Sequence, residues 1–183
     1  MSEKNTNKYA IVDLEATSAS SMASIIQVGI VIMQNGQVID EFASDVNPHQ
    51  KLDDHIIHLT GITDQQLAQA PDFSEIARKI FDLIEDCIFV AHNVKFDANL
   101  LSEALFMEGY ELRTPRVDTV ELAQVFYPTL EHYKLSHLSK VLNLDLAQAH
   151  TAIEDARATG QLLFHLMDKI ASLPRDRKST RLN

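Results

Sequence analysis

The sequence of 183 residues has no tryptophan, one cysteine, five glycines and five prolines. The single Cys87 excludes an intrachain disulfide framework and a CxxC zinc or redox site. No apolar run approaches the ~20 residues that a membrane helix requires. The first residues show no secretory signal pattern, so we expect a cytoplasmic protein without membrane contact.

Basic residues are also scarce, since 16 Lys and Arg stand against 26 Asp and Glu, and the formal net charge is −10. This balance argues against a nucleic-acid partner, which usually meets a basic surface. A site that binds divalent cations through several carboxylates would account for part of the negative charge. With 45% hydrophobic and 23% charged residues, the composition is that of a globular protein, and the length suits one domain.

Hydrophobic periodicity predicts a mixed α/β fold. Asn35-Gly36 separates two apolar runs and predicts a β-hairpin, because both turn residues must accept positive φ. The predicted strands are 9–15, 25–34, 37–46, 87–91 and 116–118, and the principal predicted helices run through 76–84, 95–108, 119–127, 135–142 and from 151 to about 170. This order of elements indicates a mixed sheet with helices on both faces.

Asp13 and Glu15 lie two positions apart on the first predicted strand. Side chains alternate along a strand, so both carboxylates point to the same face. Two neighbouring carboxylates repel each other unless a cation lies between them, and hard oxygen ligands suit Mg²⁺ or Mn²⁺. The alternative is a pair of solvated side chains at a strand end.

Two further groups combine histidine with aspartate. His92 and Asn93 end a predicted buried strand. Asp97 lies in the first turn of the following helix, at the edge where open α/β sheets place ligands. His150 lies before the last predicted helix and Asp155 within it. A step of five residues turns about 500° on a helix, so His150 must belong to the preceding loop to approach the same site as Asp155.

Together these residues resemble the motifs of the DEDD exonuclease superfamily. Asp13 and Glu15 match its first motif, Asp97 its second, and Asp155 its third, with His150 five residues earlier. The histidine is typical of the DnaQ-like branch, because the tyrosine branch carries Tyr four residues before the last aspartate. The resemblance extends over residues 8 to 172 and includes segments 25–29, 58–63, 70–73 and 134–138.

The resemblance implies a ribonuclease H-like fold, with a mixed five-stranded sheet and helices on both faces, over residues 8–172. Residues 1–7 are then a flexible N-terminal segment, and residues 173–183 a flexible tail, a cloning remnant or a truncation point. It implies a 3′–5′ exonuclease that acts on DNA, preferentially single-stranded, and releases nucleoside 5′-monophosphates in replication or repair. The sequence contains no GxxxxGK[ST] phosphate loop.

The same resemblance implies two divalent cations, Mg²⁺ or Mn²⁺, as cofactors. Asp13 would bridge them, Glu15 and Asp155 would complete the ligands of the first, and Asp97 would hold the second. His150 would act as the general base on water. Substrate contacts are expected from Ala16, Thr17, Ser18, His92, Asn93 and Phe96.

The roles of two residues near this site have alternative interpretations. Phe96 could belong to the core instead. Asp118 resembles an aspartate common in the family, although helix capping would explain it fully. Two positions depart from the usual family pattern: Ala16-Thr17-Ser18 stands in place of Thr-Thr-Gly, and Gln27 in place of a frequent glutamate.

Within the family, the chain is most similar to the exonuclease domain of DinG-type helicases of Gram-positive bacteria and to the epsilon subunit of DNA polymerase III. The expected partners are therefore nucleic-acid 3′ ends and a fused helicase or polymerase. Two alternatives stay open, namely an exoribonuclease that trims RNA ends and an idle binding module. The intact set of carboxylates argues against the idle module.

Overall fold

A computed structural model of the protein describes residues 7–20, 22–144 and 151–173. The predictions for residues 1–6, for 174–183 and for His150 lie outside these residues. The strands are β1 (Lys8–Ala16), β2 (Ile25–Gln34), β3 (Gln37–Asp45), β4 (Ile88–Ala91) and β5 (Arg116–Asp118). The helices are α1 (Asp54–Thr60), α2 (Asp64–Leu67), α3 (Phe73–Ile84), α4 (Val94–Met107), α5 (Thr119–Phe126), α6 (Leu135–Val141) and α7 (Ala152–Ser172).

The five strands form one mixed sheet in the order β3-β2-β1-β4-β5. β1, β2 and β3 pair antiparallel, while β4 pairs parallel with both β1 and β5. The predicted hairpin is confirmed, with Asn35 at φ 53° and Gly36 at φ 77° in the turn between β2 and β3. The predicted five-stranded mixed sheet is therefore confirmed, and the bounds of strands and helices differ from the prediction by at most three residues.

The two faces of β1 pack against different helices because side chains alternate along the strand. Val12 and Leu14 belong to the cluster formed with α3 and α4, which includes Ile80 and Leu101. Tyr9 and Ile11 face the other way and pack with α7. Asp13 and Glu15 follow in the same alternation, so the fold directs both carboxylates towards α7.

Two glycines let α7 lie close to the sheet. A Cβ atom on Gly29 of β2 would collide with the backbone of Ala152 and Ile153 at the start of α7. A Cβ atom on Gly160, two turns later, would lie 2.5 Å from the Sδ atom of Met33. Small residues at both crossing points therefore set the distance between α7 and the central strands.

An exposed ion pair also attaches α7 to the far strand of the sheet. The guanidinium of Arg157 donates from Nε to Oε1 of Glu41 at 2.8 Å and from Nη2 to Oε2 at 2.6 Å. This two-point hydrogen bonding lowers the pKa of the Glu41 carboxyl and raises that of Arg157.

Among the helices described here, α1 to α7, none combines the length and the apolar character that a membrane-spanning helix requires.

We predict that Gly29→Ala destabilises the protein by about 2 kcal/mol or more, because the added methyl group meets helix backbone that cannot rotate away. Gly160→Ala is the matched control. Its methyl group meets a flexible Met33 side chain, and alanine gains up to about 1 kcal/mol in a helix interior. Urea unfolding of both variants should show the larger loss for Gly29→Ala, and equal losses would contradict the backbone contact as its cause.

Candidate active site

The first two acidic residues, Asp13 and Glu15, lie on the central strand β1 and are paired with residues of β2. In the antiparallel pairing of β1 and β2, Asp13 is opposite Gly29 and Glu15 is opposite Gln27. A bulge follows directly, because Ala16 pairs with Ile25 and leaves Ile26 as the extra residue. Bulges re-aim side chains at the ends of strands, and this one lies next to the two carboxylates.

Asp155 joins these residues from the first turn of α7. Its backbone N–H donates to the carbonyl oxygen of Thr151 at 3.0 Å. Asp13, Glu15 and Asp155 each contribute a carboxylate oxygen, and these oxygens lie within 4.8 Å of one another. Across residues 7–20, 22–144 and 151–173, this is the cluster of three acidic or metal-ligating side chains whose atoms come that close.

The electrostatics of the cluster follow from its burial and its charge. Burial raises the pKa of Asp13 well above its ordinary value, and Asp97, Asp155 and Glu15 raise it further by repulsion. A carboxylate under these conditions holds its charge at a high cost in free energy unless a cation balances it.

Asp97 approaches the same strand from α4, on the opposite face of the sheet. Its Oδ1 atom accepts a hydrogen bond of 2.9 Å from the backbone N–H of Leu14, between the two acidic residues of β1. Its side chain is 5% exposed. Burial raises the pKa of Asp97 to about 7, while the hydrogen bond from Leu14 acts in the other direction. The structure therefore places Asp97 beside the three-carboxylate cluster but not within it.

His150 lies outside the described residues. The next residue, Thr151, occupies the N-cap position of α7, with φ −117° and ψ 146°. Its side chain makes no capping hydrogen bond. Thr151 thus occupies the N-cap position without capping through its side chain, and the backbone N–H of Ala152 donates instead to the Oε1 atom of Gln27 at 2.9 Å.

The residues predicted to contact the substrate at the end of β1 lie at a loop that is closed by its own hydrogen bonds. Ala16 is the last residue of β1 and is 8% exposed. The backbone N–H of Thr17 donates to the carbonyl oxygen of Ser24, and the Thr17 Oγ1 atom accepts from the Ser24 N–H. The Ser18 hydroxyl lies 2.9 Å from that of Ser20. A nucleotide role for these three residues stays a prediction.

His92 has both ring nitrogens engaged within the protein. Its Nδ1 atom lies 2.8 Å from the Thr119 hydroxyl, and its Nε2 atom lies 2.6 Å from the carbonyl oxygen of Tyr133. A carbonyl only accepts, so Nε2 is the donor in this second contact. The ring ties β4 to the start of α5 and to the segment before α6, and its role in substrate binding stays a prediction.

Asn93 and Phe96 lie at a surface cleft at the start of α4. Asn93 has left-handed backbone geometry with φ 75° and is exposed. Phe96 is half-buried against the core and also lines this cleft, so the two predicted environments for it coexist. The cleft has a volume of about 310 Å³, and its other lining residues are Ala19, Ser20, Lys95, Asn99, Leu100 and Glu103.

Asp118 does more than the expected capping of a helix. It caps α5, since its Oδ1 atom accepts from the Val120 N–H at 2.8 Å. The same carboxylate accepts from the backbone N–H groups of Asn93 and Val94, at 3.1 Å each. The expected capping is therefore confirmed, and the same carboxylate also fixes the turn that leads from β4 to Asp97. Only the parallel pairing of β4 with β5 brings these segments together.

The donor set of the site suits hard divalent cations. Carboxylate oxygens are the protein ligands that Mg²⁺ and Mn²⁺ prefer, and a bound cation would relieve the repulsion at Asp13. The site lies at the carboxyl end of the central strand, in a sheet of order 3-2-1-4-5. The fold and this cluster together define a ribonuclease H-like protein with a carboxylate site able to hold a divalent metal.

Comparison with known proteins identifies the family. The RNase_T exonuclease family model matches residues 10–163. The 3′-5′ exonuclease DinG of Staphylococcus aureus is 40% identical over 170 residues, which are 92% of this chain and 19% of that relative. The chain belongs to the exonuclease family, and the resemblance found in its motifs is confirmed. It spans about a fifth of the length of such curated relatives.

Solved structures share the fold at lower sequence identity. Exonuclease X in complex with 5′ overhanging duplex DNA has a TM-score of 0.71 and 21% identity, over 90% of this chain and 94% of that chain. The nuclease domain of 3′hExo, a DEDDh family member bound to rAMP, has a TM-score of 0.77 and 18% identity, over 94% of this chain and 98% of that chain. The predicted ribonuclease H-like fold is thus confirmed.

We predict that His92 makes folding stability sensitive to acid. Burial lowers the pKa of His92 below its ordinary value of 6.5, so below pH 6.5 the unfolded chain binds more protons than the folded one. The stabilisation present above pH 6.5 is therefore lost as the pH falls towards 5. His92→Gln should be less stable at pH 7 but should lose less stability between pH 7 and pH 5.

Thermal unfolding in EDTA at both pH values measures this difference. The carboxylates of the site are the same in both proteins. The difference between the pH-dependent changes in unfolding temperature of wild type and His92→Gln therefore reports the contribution of the His92 imidazole. Parallel losses in wild type and His92→Gln would contradict the prediction.

Proposed function

We propose that this chain is a divalent-metal-dependent 3′–5′ exonuclease that removes nucleotides one at a time from DNA ends, preferentially single-stranded. The observation that carries the proposal is the convergence of Asp13, Glu15 and Asp155 within 4.8 Å, with Asp97 bound to the backbone between the first two. Membership of the exonuclease family supports it.

We assign the metal ligands from this arrangement. Asp13, Glu15 and Asp155 would hold one cation, and Asp97 together with Asp13 would hold a second. Two divalent cations bound there would activate water and stabilise the charge of the leaving oxygen. The role of the chain is to keep four carboxylates close together, and the Leu14 N–H orients the one from α4.

His150 is proposed as the general base. It directly precedes Thr151, the N-cap residue of the helix that carries Asp155. A histidine titrates near neutral pH and can accept a proton from water. The deprotonated water attacks the terminal phosphodiester, the 3′ oxygen of the penultimate nucleotide leaves, and a nucleoside 5′-monophosphate is released.

The terminal nucleotide is assigned to the cleft at the start of α4. Phe96 offers a stacking surface for a base, Lys95 a positive charge for a phosphate, and Asn93 and Asn99 polar groups at its rim. Stacking accepts any base, so we propose little sequence preference. Ala16, Thr17, Ser18 and His92 would complete the surroundings of the nucleotide.

The relatives that share 40% identity are about five times as long as the matched region. We therefore propose that the domain works beside further domains or partners, a helicase or polymerase among them, in replication or repair. The alternative substrate is RNA, whose ends the protein would trim. The 2′-hydroxyl is the group by which a protein distinguishes RNA from DNA.

We predict a one-nucleotide ladder when a 5′-labelled single-stranded DNA oligomer is incubated with the protein and Mn²⁺. The same oligomer with a blocked 3′ end should stay intact, because hydrolysis begins at a free 3′ end. A labelled RNA of the same sequence should be degraded at least tenfold more slowly, and faster degradation of the RNA would favour the alternative. Absence of cleavage on DNA and RNA would refute the exonuclease.

We predict that His150→Ala lowers kcat at least a hundredfold and leaves the Mn²⁺ dissociation constant within about twofold of wild type, because His150 acts on water and is not a ligand. Asp13→Asn is the contrasting variant and should lose both activity and Mn²⁺ binding. Isothermal titration calorimetry and single-turnover kinetics measure the two effects. Loss of Mn²⁺ affinity in His150→Ala would contradict its assignment as base.

A further inference from the structure

One side chain joins the start of α7 to the rest of the sheet. The Oε1 atom of Gln27 accepts a hydrogen bond of 2.9 Å from the backbone N–H of Ala152, the first residue of α7. Its Nε2 atom donates to the Oδ1 atom of Asp45 at 2.8 Å. A backbone N–H only donates and an ionised carboxylate only accepts, so these partners fix the orientation of the amide.

Asp45 is held in turn from its other side. Its Oδ2 atom accepts a hydrogen bond of 2.7 Å from the amide of Gln66 on α2. The chain of hydrogen bonds therefore runs from α2 through β3 and β2 to the N-terminus of α7. Because Asp45 is bound at both oxygens, it resists rotation and holds the amide of Gln27 in place.

The hydrogen bond to Gln27 anchors the first turn of α7, which also carries Asp155. Asp155 lies three residues after Ala152, about 4.5 Å along the helix axis. Gln27 is also the cross-strand partner of Glu15, and Gly29, where the backbone of α7 touches β2, is the partner of Asp13. Each acidic residue of β1 therefore lies opposite a residue that contacts the start of α7.

We propose that Gln27, held by Asp45, is a positioning residue that sets the distance of Asp155 from Asp13 and Glu15. This inference rests on the proposed function, in which these carboxylates bind metal together. The ion pair of Arg157 with Glu41 lies later on α7 and is exposed. Gly29 permits a close approach of the α7 backbone. The hydrogen bond that the Ala152 N–H donates to Gln27 acts directly on the backbone of the first turn.

The chemistry of the pair also predicts a compensating substitution. Gln27→Glu would place a second carboxylate at the 2.8 Å contact with Asp45 and force the two apart by repulsion. Adding Asp45→Asn would restore the network with the same net charge. The carboxylate of residue 27 would still accept from Ala152, while the amide at position 45 would donate to it and accept from Gln66.

The first experiment compares Gln27→Met with wild type and with Gln37→Met, the same change at an exposed position at the start of β3. Gln27→Met keeps the length of the side chain and removes both hydrogen bonds. We expect kcat to fall at least tenfold and Mn²⁺ affinity, measured by calorimetry, to weaken at least threefold. KM for the oligonucleotide should stay within twofold, and Gln37→Met should match wild type in all three.

The second experiment compares Gln27→Glu with Gln27→Glu/Asp45→Asn. We expect the single variant to lose at least tenfold in kcat and the double variant to recover to within about threefold of wild type. A residue that served only folding would change the unfolding temperature without changing kcat of the folded protein. This pair of variants also gives the answer if Gln27→Met fails to fold.

Two outcomes would overturn the positioning role: kcat and Mn²⁺ affinity within twofold of wild type in folded Gln27→Met, or a double variant no better than Gln27→Glu. A wild-type protein that binds Mn²⁺ but cleaves no nucleic acid would refute the proposed function alone, and the Mn²⁺ affinities of the variants would still decide the positioning role. A wild-type protein that binds no Mn²⁺ would refute both.

Discussion

Mutual repulsion among carboxylates is the constraint on which this structure depends. Asp13, Glu15 and Asp155 lie within 4.8 Å of one another, and Asp97 is buried beside them. Groups of like charge separate wherever the chain allows it. The protein keeps them together by placing two on the central strand of a sheet and fixing the other two through their backbones and neighbours. The packing of the fold therefore offsets the free energy of repulsion among the carboxylates.

The means of fixation differ between the two faces of the sheet. On the face of α4, the Leu14 N–H binds Asp97 directly, and Asp118 secures the turn before it. On the face of α7, Gly29 permits contact between backbones, and the Gln27 amide binds the first N–H of the helix. Polar contacts outside the carboxylate cluster thereby determine the geometry within it, and residues that touch no ligand become part of the working site.

Sequence patterns predicted the sheet, the hairpin and the acidic residues, because each of these leaves a local trace. Alternation placed Asp13 and Glu15 on one face, and Asn35-Gly36 predicted the turn. The contacts of His92 and Gln27, and those of Asp118 with the turn before α4, left no such trace. They join segments far apart in the chain, 125 positions in the case of Gln27 and Ala152, and depend on strand register and helix placement. A glutamine in a strand looks the same whether it faces solvent or a helix N-terminus.

The distance along the chain between β1 and α7 also determines when the carboxylate cluster can form. During synthesis the first strand leaves the ribosome long before the last helix, and Asp13 and Glu15 exist without Asp155 until nearly the whole domain has been made. Contacts of such long range must first overcome the entropy of closing a long loop, and they slow folding. The carboxylates therefore assemble only when the sheet is complete and covered on both faces, so a nascent or partly folded chain lacks the complete carboxylate cluster.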